Sequence, residues 1–376
     1  MKASAYDKKI ILENGQEYYG YSFGSDSEKV CELVFNTSMV GYQEILSDPS
    51  YTYQAVVMTY PLIGNYGCAD DDYETDTPSI GAFIVREYND EPSNFRSAAT
   101  MSEVMKKYDI PGIYGVDTRK LTRHIRESGS GKVLITGAST ALDEGLSLLK
   151  GTALPKDAVS SVSKNSCRTF YPAKAIYSGL RQKPFHIAAI DCGMKQNIIR
   201  TLNRYGCIVT VIPWNASVSM IDSLAPDGIF ISNGPGDPED IPETIRTVRA
   251  LIGRYPMFGI CLGHQIISLA YGAKTYKLKF GHRGGNHPVK NLKTGKIEIT
   301  SQNHSYAVDL DSINSTKLSL THINLLDNTV EGVECMSDKL FSVQYHPESA
   351  PGPQDSTYLF DQFINILKEA ANAKKK

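Results

Sequence analysis

The segment GICLGHQ, residues 259–265, constrains the fold more than any other part of the chain. Apolar Met257–Ile260 predicts a short buried strand, and Leu262–Ala270 predicts the start of a helix that follows it directly. Cys261 therefore lies at a strand-to-helix turn, with a glycine two residues away on either side, and this turn is too sharp for larger side chains there. We expect an exposed sulfur at a helix N-terminus, where the dipole and free N–H groups favour a thiolate.

The segment YHPE offers a base and a carboxylate that would orient it, because His346 and Glu348 lie two residues apart. In extended backbone such residues share a face. One carboxylate oxygen could accept the imidazole Nδ1–H and leave Nε2 toward the sulfur. The pattern predicts a nucleophilic site with Cys261, His346 and Glu348 as its catalytic residues. The alternative is that Cys261 is a small core residue and that the other two form a surface pair.

Composition excludes several classes of protein. The 376 residues carry a formal net charge of −2, from 39 basic and 41 acidic residues, so we expect no nucleic-acid partner. The sequence has no run of about eighteen apolar residues and no signal-peptide pattern, which predicts a cytoplasmic protein without membrane contact. The seven widely spaced cysteines indicate free thiols, and the histidines show no metal-ligand spacing, so we expect no metal. Cys192 follows a predicted strand without a nearby base and is interpreted as a core cysteine.

The pattern of the chain changes along its length. Residues 1–140 predict a mixed, β-rich α/β domain. Residues 141–183, rich in Ser, Lys, Ala and Pro, predict a connector with one helix. Residues 184–376 alternate short apolar runs with helical segments, which predicts an α/β domain: an open, mostly parallel sheet with helices on both faces.

Local signals in the first half are specific. The dipeptide Asn14-Gly15 predicts a hairpin turn. Residues 97–107 and Thr118–Ser128 predict helices, the second with Asp117 as its N-cap and Gly129 as its stop. The nearby SGSGK lacks the earlier glycine and the Ser or Thr that a phosphate loop requires, so we expect no ATP chemistry on this chain.

A second polar segment, NGPGDPED at residues 233–240, follows a predicted strand. Its glycines and prolines predict a rigid loop at the carboxyl edge of the sheet, where open α/β sheets bind ligands. The Gly234 N–H could face a reacting carbonyl opposite the Leu262 N–H, giving two oxyanion donors. An ordinary turn is the alternative. The loop QNHSYAV, residues 302–308, could supply Asn303 and backbone groups to a small polar ligand.

Together, GICLGHQ, NGPGDP and YHPE resemble the class I, triad-type glutamine amidotransferase domain over about residues 185–367. The resemblance implies that Cys261 attacks the side-chain amide of glutamine, that a glutamyl thioester forms, that His346 moves the protons and that Glu348 orients it. In the first half, FNTSMVGYQEILSDPSY, YPLIGNYG and GVDTRKLTRHIRESG are similar to the N-terminal domain of the carbamoyl phosphate synthetase small subunit. GHRGGNHPV is similar to the same family.

The resemblance also implies a set of glutamine contacts. They are Ser38, Gly234, Gly236, Leu262, Gln265, Asn303, Ser305 and Tyr306. The last three belong to a cluster that in the family is usually Gln-Asn-His-Gly-Phe, so Ser305 and Tyr306 depart from the pattern. Ser305 would be strained if its position requires a positive φ.

The implied function is that of a glutaminase subunit within a ligase complex. It would pass ammonia to a large synthetase subunit, in a heterodimer or an assembly of heterodimers. The large subunit would bind ATP, magnesium and potassium and make carbamoyl phosphate for arginine and pyrimidine biosynthesis, while this chain would hold no cofactor. Two other hypotheses remain open: a stand-alone γ-glutamyl hydrolase without a partner, and a glutamine-sensing module with an inactive site.

Overall fold

The computed structural model describes residues 6–174 and 183–373, and the chain divides into two units. The first unit spans Met1–Lys156 and Lys279–Arg283, and the second spans Asp157–Leu278 and Gly284–Lys376. The first break between the units follows Lys156, within the segment 141–183, and a second stretch of the first unit lies at Lys279–Arg283. Among the described residues, none of the helices combines the length and apolarity that a membrane crossing requires.

A closed β-barrel forms the first unit. The strands of this unit are β1 (Lys8–Leu12), β2 (Glu17–Gly24), β3 (Lys29–Asn36), β4 (Gln54–Met58), β5 (Leu62–Ile63), β6 (Ala82–Ile84), β7 (Glu87–Tyr88), β8 (Pro111–Tyr114) and β9 (Lys132–Gly137). The barrel order is β1-β2-β8-β6-β4-β3-β9, and β5 pairs with β7 separately. The accompanying helices are α1 (Tyr42–Ser47), α2 (Met101–Lys107), α3 (Thr118–Ser128) and α4 (Leu142–Gly151). This unit confirms the predicted β-rich domain.

Turn and cap signals decide the local structure of this unit. β1 and β2 pair antiparallel around Gly15, which has a φ of 81°, so the predicted hairpin is confirmed. The α3 helix is confirmed with its cap, because the Asp117 side chain accepts the Lys120 N–H. The helix expected over 97–107 begins only at Met101. Thr100 and Glu103 form a capping box that fixes this later start.

A ten-stranded sheet runs through the second unit. Its strands are β10 (Arg168–Phe170), β11 (His186–Asp191), β12 (Ile208–Pro213), β13 (Gly228–Ile231), β14 (Met257–Ile260), β15 (Thr275–Asn291), β16 (Ile297–Val308), β17 (Ser319–Asn324), β18 (Val330–Cys335) and β19 (Leu340–Val343). Their order is β10-β12-β11-β13-β14-β19-β18-β17-β15-β16. The five adjacent strands β12, β11, β13, β14 and β19 are parallel. Next to β19, the strands β18 and β17 extend the sheet in antiparallel pairing.

Helices cover both faces of this sheet. They are α5 (Ala158–Val162), α6 (Gln196–Arg204), α7 (Val218–Ser223), α8 (Pro242–Leu251), α9 (Leu262–Ala270), α10 (Leu310–Ile313) and α11 (Tyr358–Ala373). Successive strand residues point to opposite faces. Ile231 accordingly belongs to the same hydrophobic cluster as Ile266 of α9, whereas Phe230 belongs to the cluster that contains Phe360 of α11. This arrangement confirms the predicted α/β fold of the second half.

Some predicted elements were wrong in extent. The segment 141–183 was expected to contain one helix, but its described residues contain α4, α5 and the strand β10. The sequence pattern also did not predict the seventeen-residue strand β15, whose glycines, proline and basic residues hide any strand periodicity. Its regular structure comes from pairing with neighbouring strands such as β17.

We expect Phe258→Ala to lower the free energy of unfolding of the second unit by about 3–5 kcal/mol, since it removes a fully buried ring. The Phe258 ring stacks on Phe341 with a centroid distance of 4.4 Å and also contacts Phe230, Phe360 and Phe363. Urea unfolding followed by circular dichroism measures the loss. The control Leu326→Ala, on a side chain that is 65% exposed, should change stability by less than about 0.5 kcal/mol. Equal losses in the two variants would contradict this packing.

Candidate active site

A strained turn presents Cys261 between β14 and α9. Cys261 has a φ of 55° and a ψ of −106°, a combination that costs a non-glycine residue roughly 1–3 kcal/mol. A Cβ on Gly263 would lie 2.2 Å from the carbonyl oxygen of Ile231, and one on Gly259 would lie 2.8 Å from Gly263 backbone. The predicted sharp turn is therefore confirmed, because neither position has room for a side chain.

The sulfur is more enclosed than its predicted exposure suggested. Cys261 is only 2% exposed, and its Sγ lies 3.5 Å from the carbonyl oxygen of Asn303. The expectation of an exposed sulfur was wrong, because residue 303 of β16 packs against it. The Cys261 N–H also donates to the Val343 carbonyl of β19. Backbone contacts on several sides thus hold the cysteine in place.

His346 and Glu348 form the hydrogen bond that the sequence predicted. Nδ1 of His346 lies 2.7 Å from Oε1 of Glu348, and both side chains are buried. A carboxylate oxygen only accepts, so Nδ1 carries the hydrogen. The His346 backbone N–H donates to the carbonyl of Ser301 in β16. Both the imidazole and its backbone are thereby fixed.

Together, the charges near His346 change its pKa more than its burial does. Burial alone would lower the pKa of His346, but the Glu348 carboxylate and the Cys261 sulfur raise it to about 10. Among the described residues, Nε2 of His346 makes no hydrogen bond of normal length and angle. Cys261 is nevertheless close enough to raise the imidazole pKa. Both neighbours therefore favour the protonated form of the imidazole.

Lys195 is a member of the site that the sequence pattern did not reveal. Its Nζ lies 2.9 Å from Oε1 of Glu348 and also donates to the Ala350 carbonyl, although the lysine side chain is only 4% exposed. Burial would raise the pKa of Glu348, but Lys195 and His346 lower it to about 2. The available signal was a lysine just after a strand at the carboxyl edge of the sheet. Its partner is 153 residues away, so no local motif connects them.

Hydrogen bonds hold the loop that carries Lys195 in place. Oδ1 of Asp191 accepts the N–H groups of Gly193 and Met194. The side chain of Asn233 accepts the Lys195 N–H and donates to the Gly193 carbonyl. The segment NGPGDPED therefore contributes, through its first residue, to the position of the lysine.

The two predicted oxyanion donors are neighbours. A Cβ on Gly234 would lie 2.9 Å from Cδ2 of Leu262, which places the two residues side by side. As the first residue of α9, Leu262 has an N–H without an intrahelical acceptor. Gly236 follows in the same loop as Gly234 with a φ of 85°.

The other predicted contacts lie on different elements. Gln265 follows Cys261 by one helical turn, and its Nε2 donates to the Tyr306 carbonyl at 2.8 Å. Asn303, Ser305 and Tyr306 lie on β16, and Ser305 is not among the positive-φ residues, so the anticipated strain is absent. Ser38 belongs to the first unit, where its N–H donates to the side chain of Asn36.

The fold explains how distant residues meet in the second unit. Cys192, Asn233, Cys261 and Gln344 each follow a parallel strand, namely β11, β13, β14 and β19. Parallel strands end at one edge of the sheet, where open α/β folds bind ligands. Cys192 itself is fully buried, and burial raises the pKa of its thiol, as expected for a core cysteine.

Comparison with known proteins agrees with this geometry. Residues 188–366 match the family model "Glutamine amidotransferase class-I", and residues 10–135 match "Carbamoyl-phosphate synthase small chain, CPSase domain". The carbamoyl phosphate synthase small chain of Fusobacterium nucleatum is 52% identical over 96% of this chain and 98% of its own length.

Two further relatives extend the comparison. The carbamoyl phosphate synthase small chain of Staphylococcus saprophyticus is 49% identical, over 96% of each chain. The carbamoyl phosphate synthase pyrimidine-specific small chain of Bacillus subtilis is also 49% identical, again over 96% of each chain. Identity of this extent, across both units, shows that the chain belongs to the carbamoyl phosphate synthase small chain family and is a glutamine amidotransferase enzyme.

Proposed function

We propose that this chain is the glutaminase subunit of a glutamine-dependent carbamoyl phosphate synthetase, with Cys261, His346 and Glu348 as its catalytic triad. The observation that carries the proposal is the 2.7 Å hydrogen bond from His346 to Glu348 beside the strained Cys261 turn. A nucleophile, a base and an orienting carboxylate are the groups that splitting an amide through a thioester requires.

In the first half-reaction, imidazolium at His346 stabilises the Cys261 thiolate by its charge. The thiolate attacks the side-chain carbonyl carbon of glutamine, and the C=O electron pair moves to oxygen. The N–H groups of Gly234 and Leu262 donate to that oxygen. His346 gives its proton to the departing nitrogen, the C–N bond breaks, and ammonia leaves a glutamyl thioester behind.

In the second half-reaction, the now neutral His346 takes a proton from water. The water oxygen attacks the thioester carbonyl, the C–S bond breaks, and glutamate is released. The thiolate and imidazolium are restored together. Glu348 keeps the Nδ1–H in place and stabilises the imidazolium in both halves.

Several side chains and backbone groups would hold glutamine in place. Ser38, Gly236, Gln265, Asn303, Ser305 and Tyr306 are proposed contacts, along with the two oxyanion donors. Because Nε2 of Gln265 donates within the protein, the group it offers a substrate is the acceptor Oε1. Ser305 and Tyr306 differ from the usual Gly-Phe of the family, but backbone contacts do not depend on those side chains.

The expected partner is a large synthetase subunit, in a heterodimer or an assembly of heterodimers. Ammonia would pass to it through a protein conduit, since release into water at neutral pH would convert it to ammonium. ATP, magnesium and potassium would bind to the large subunit, where carbamoyl phosphate is made. A related chain is named pyrimidine-specific; we propose supply to both arginine and pyrimidine biosynthesis, in the cytoplasm.

A stand-alone γ-glutamyl hydrolase is the second candidate, favoured only by the completeness of the triad within one unit. The two functions differ in their dependence on a partner. Glutamate release should be accelerated by the large subunit if the chain is a synthetase subunit, and should be unchanged by it if the chain acts alone.

Cys261→Ser should lower glutamine-dependent synthesis by about 10⁴-fold or more, because a neutral hydroxyl replaces the thiolate nucleophile. Ammonia-supported synthesis by the same complex should persist. Both rates are measured on the purified complex as carbamoyl phosphate formed. Cys167→Ser, at an exposed cysteine, is the matched control and should retain both activities. Loss of both activities in Cys261→Ser would show that the cysteine is structural.

His346→Asn should cost about ten- to a hundredfold more glutaminase activity than Glu348→Gln, since the imidazole transfers protons whereas the carboxylate orients and stabilises it. Steady-state kcat for glutamate release compares the two variants. Equal losses would assign Glu348 a role in proton transfer itself.

Lys195→Met should raise the pKa of Glu348, because the lysine is the largest favourable influence on that carboxylate. A carboxyl group with a lowered folded-state pKa stabilises the fold above its unfolded pKa near 4.5 and loses this contribution as pH falls toward 2. In the variant this contribution should be smaller, because the folded-state pKa moves toward the unfolded one, and the acid limb of kcat/KM should move to higher pH. Lys290→Met, at an exposed lysine of β15, is the control. Superimposable pH profiles would contradict a role for Lys195.

A further inference from the structure

The side chain of Gln265 has its orientation set by two protein acceptors. Its Nε2 donates to the Tyr306 carbonyl at 2.8 Å and to Oε1 of Gln344 at 3.0 Å. An amide nitrogen has two hydrogens, and both are used here. The reverse orientation would place the amide oxygen against two other oxygens. The polarity of the Gln265 amide is therefore fixed.

The fixed orientation leaves Oε1 of Gln265 as an available acceptor. Among the described residues, this oxygen makes no hydrogen bond. It is also not one of the fully buried polar atoms that lack a partner, so it remains accessible. Gln265 as a whole is only 2% exposed. An acceptor held in this way, one helical turn from Cys261, suits a ligand N–H group and repels a carboxylate.

Gln344 accepts a hydrogen bond from Gln265, although its own amide nitrogen has no partner in the part of the chain that the structure describes. It is fully buried, directly follows β19, and its backbone N–H donates to the Glu331 carbonyl. Its own Nε2 is buried without a partner among the described residues, which costs free energy. A residue selected only for packing would avoid this penalty. The benefit that offsets it is the acceptor oxygen that Gln344 provides to Gln265.

We propose that Gln344 is a positioning residue that fixes the Gln265 amide, so that Oε1 of Gln265 accepts a hydrogen bond from the α-ammonium group of the substrate. The inference rests on the proposed glutaminase function. Four residues, a rise of about 6 Å, separate Gln265 from the nucleophile along α9. This is comparable with the reach from the side-chain carbonyl of glutamine to its α-nitrogen. Gln344 thus contributes to selection for an amino acid over a simple amide.

The test uses the complete complex with its large subunit. Gln344→Met removes the acceptor with little change in length, and should raise KM for glutamine by about 10- to 100-fold, the value of a hydrogen bond to a charged group, with kcat within about threefold. Gln344→Glu keeps an acceptor oxygen and should retain a KM near that of the wild type. In a Gln265→Met background, Gln344→Met should have no further effect on KM, because it acts through Gln265.

A second substrate analogue separates positioning from general damage. 4-Carbamoylbutanoate, which is glutamine without its α-amino group, is assayed as a competitive inhibitor of glutamine hydrolysis. Its inhibition constant should differ by less than about twofold between wild type and Gln344→Met, because it lacks the ammonium group that Gln265 would bind. An equal weakening for glutamine and the analogue would overturn the inference.

Folding and the parent proposal have separate readouts. Ammonia-supported synthesis reports whether each variant folds and assembles. If Gln344→Met fails to fold, Gln344→Asn replaces it, because asparagine stays polar but is too short to reach Gln265. Gln344→Asn should also raise KM for glutamine without changing the inhibition constant of the analogue. The inference would be overturned if neither Gln344→Met nor Gln344→Asn showed this pattern. A wild-type complex that does not hydrolyse glutamine would instead overturn the proposed function itself.

Discussion

A single buried carboxylate oxygen organises the candidate active site. Oε1 of Glu348 accepts hydrogen bonds from both Nδ1 of His346 and Nζ of Lys195, at 2.7 and 2.9 Å. Removing the carboxylate would leave the buried Lys195 ammonium without its counter-charge, which is far more costly than the loss of an exposed ion pair. The Glu348 carboxylate is the largest of the influences that raise the pKa of His346, and the proposed chemistry uses the protonated imidazole.

The parallel sheet brings Lys195 close to His346 and Glu348, which lie far from it in the sequence. Lys195 follows β11 and His346 follows β19, yet β13 and β14 separate those two strands in the sheet. Parallel strands carry all of these loops to one edge. The tightly packed Phe258, Phe341 and Phe360 rings hold β14 and β19 against α11. Positions in the site are therefore set by core packing rather than by the loops alone.

Much of this arrangement could be predicted from sequence, for identifiable reasons. The bounds of β14 and the start of α9 were predicted to the residue because apolar runs and glycine spacing are local signals, and the His346–Glu348 bond follows from a two-residue spacing. The strand β15 was not predictable, because its pairing partners rather than its own pattern stabilise it. Lys195 and Gln344 were missed because their contacts come from segments far away in the sequence.

Three unsatisfied buried groups lie where the chemistry is proposed. Nε2 of His346, Oε2 of Glu348 and Nε2 of Gln344 are all buried without hydrogen-bond partners among the described residues, and Cys261 occupies a strained backbone conformation. Each of these features lowers stability. A fold can retain them only if surplus packing free energy elsewhere offsets them, and the ring cluster around Phe258 is such a source. That these four features occur together at one edge of the sheet is what selection for a bound ligand, rather than for stability, would leave behind.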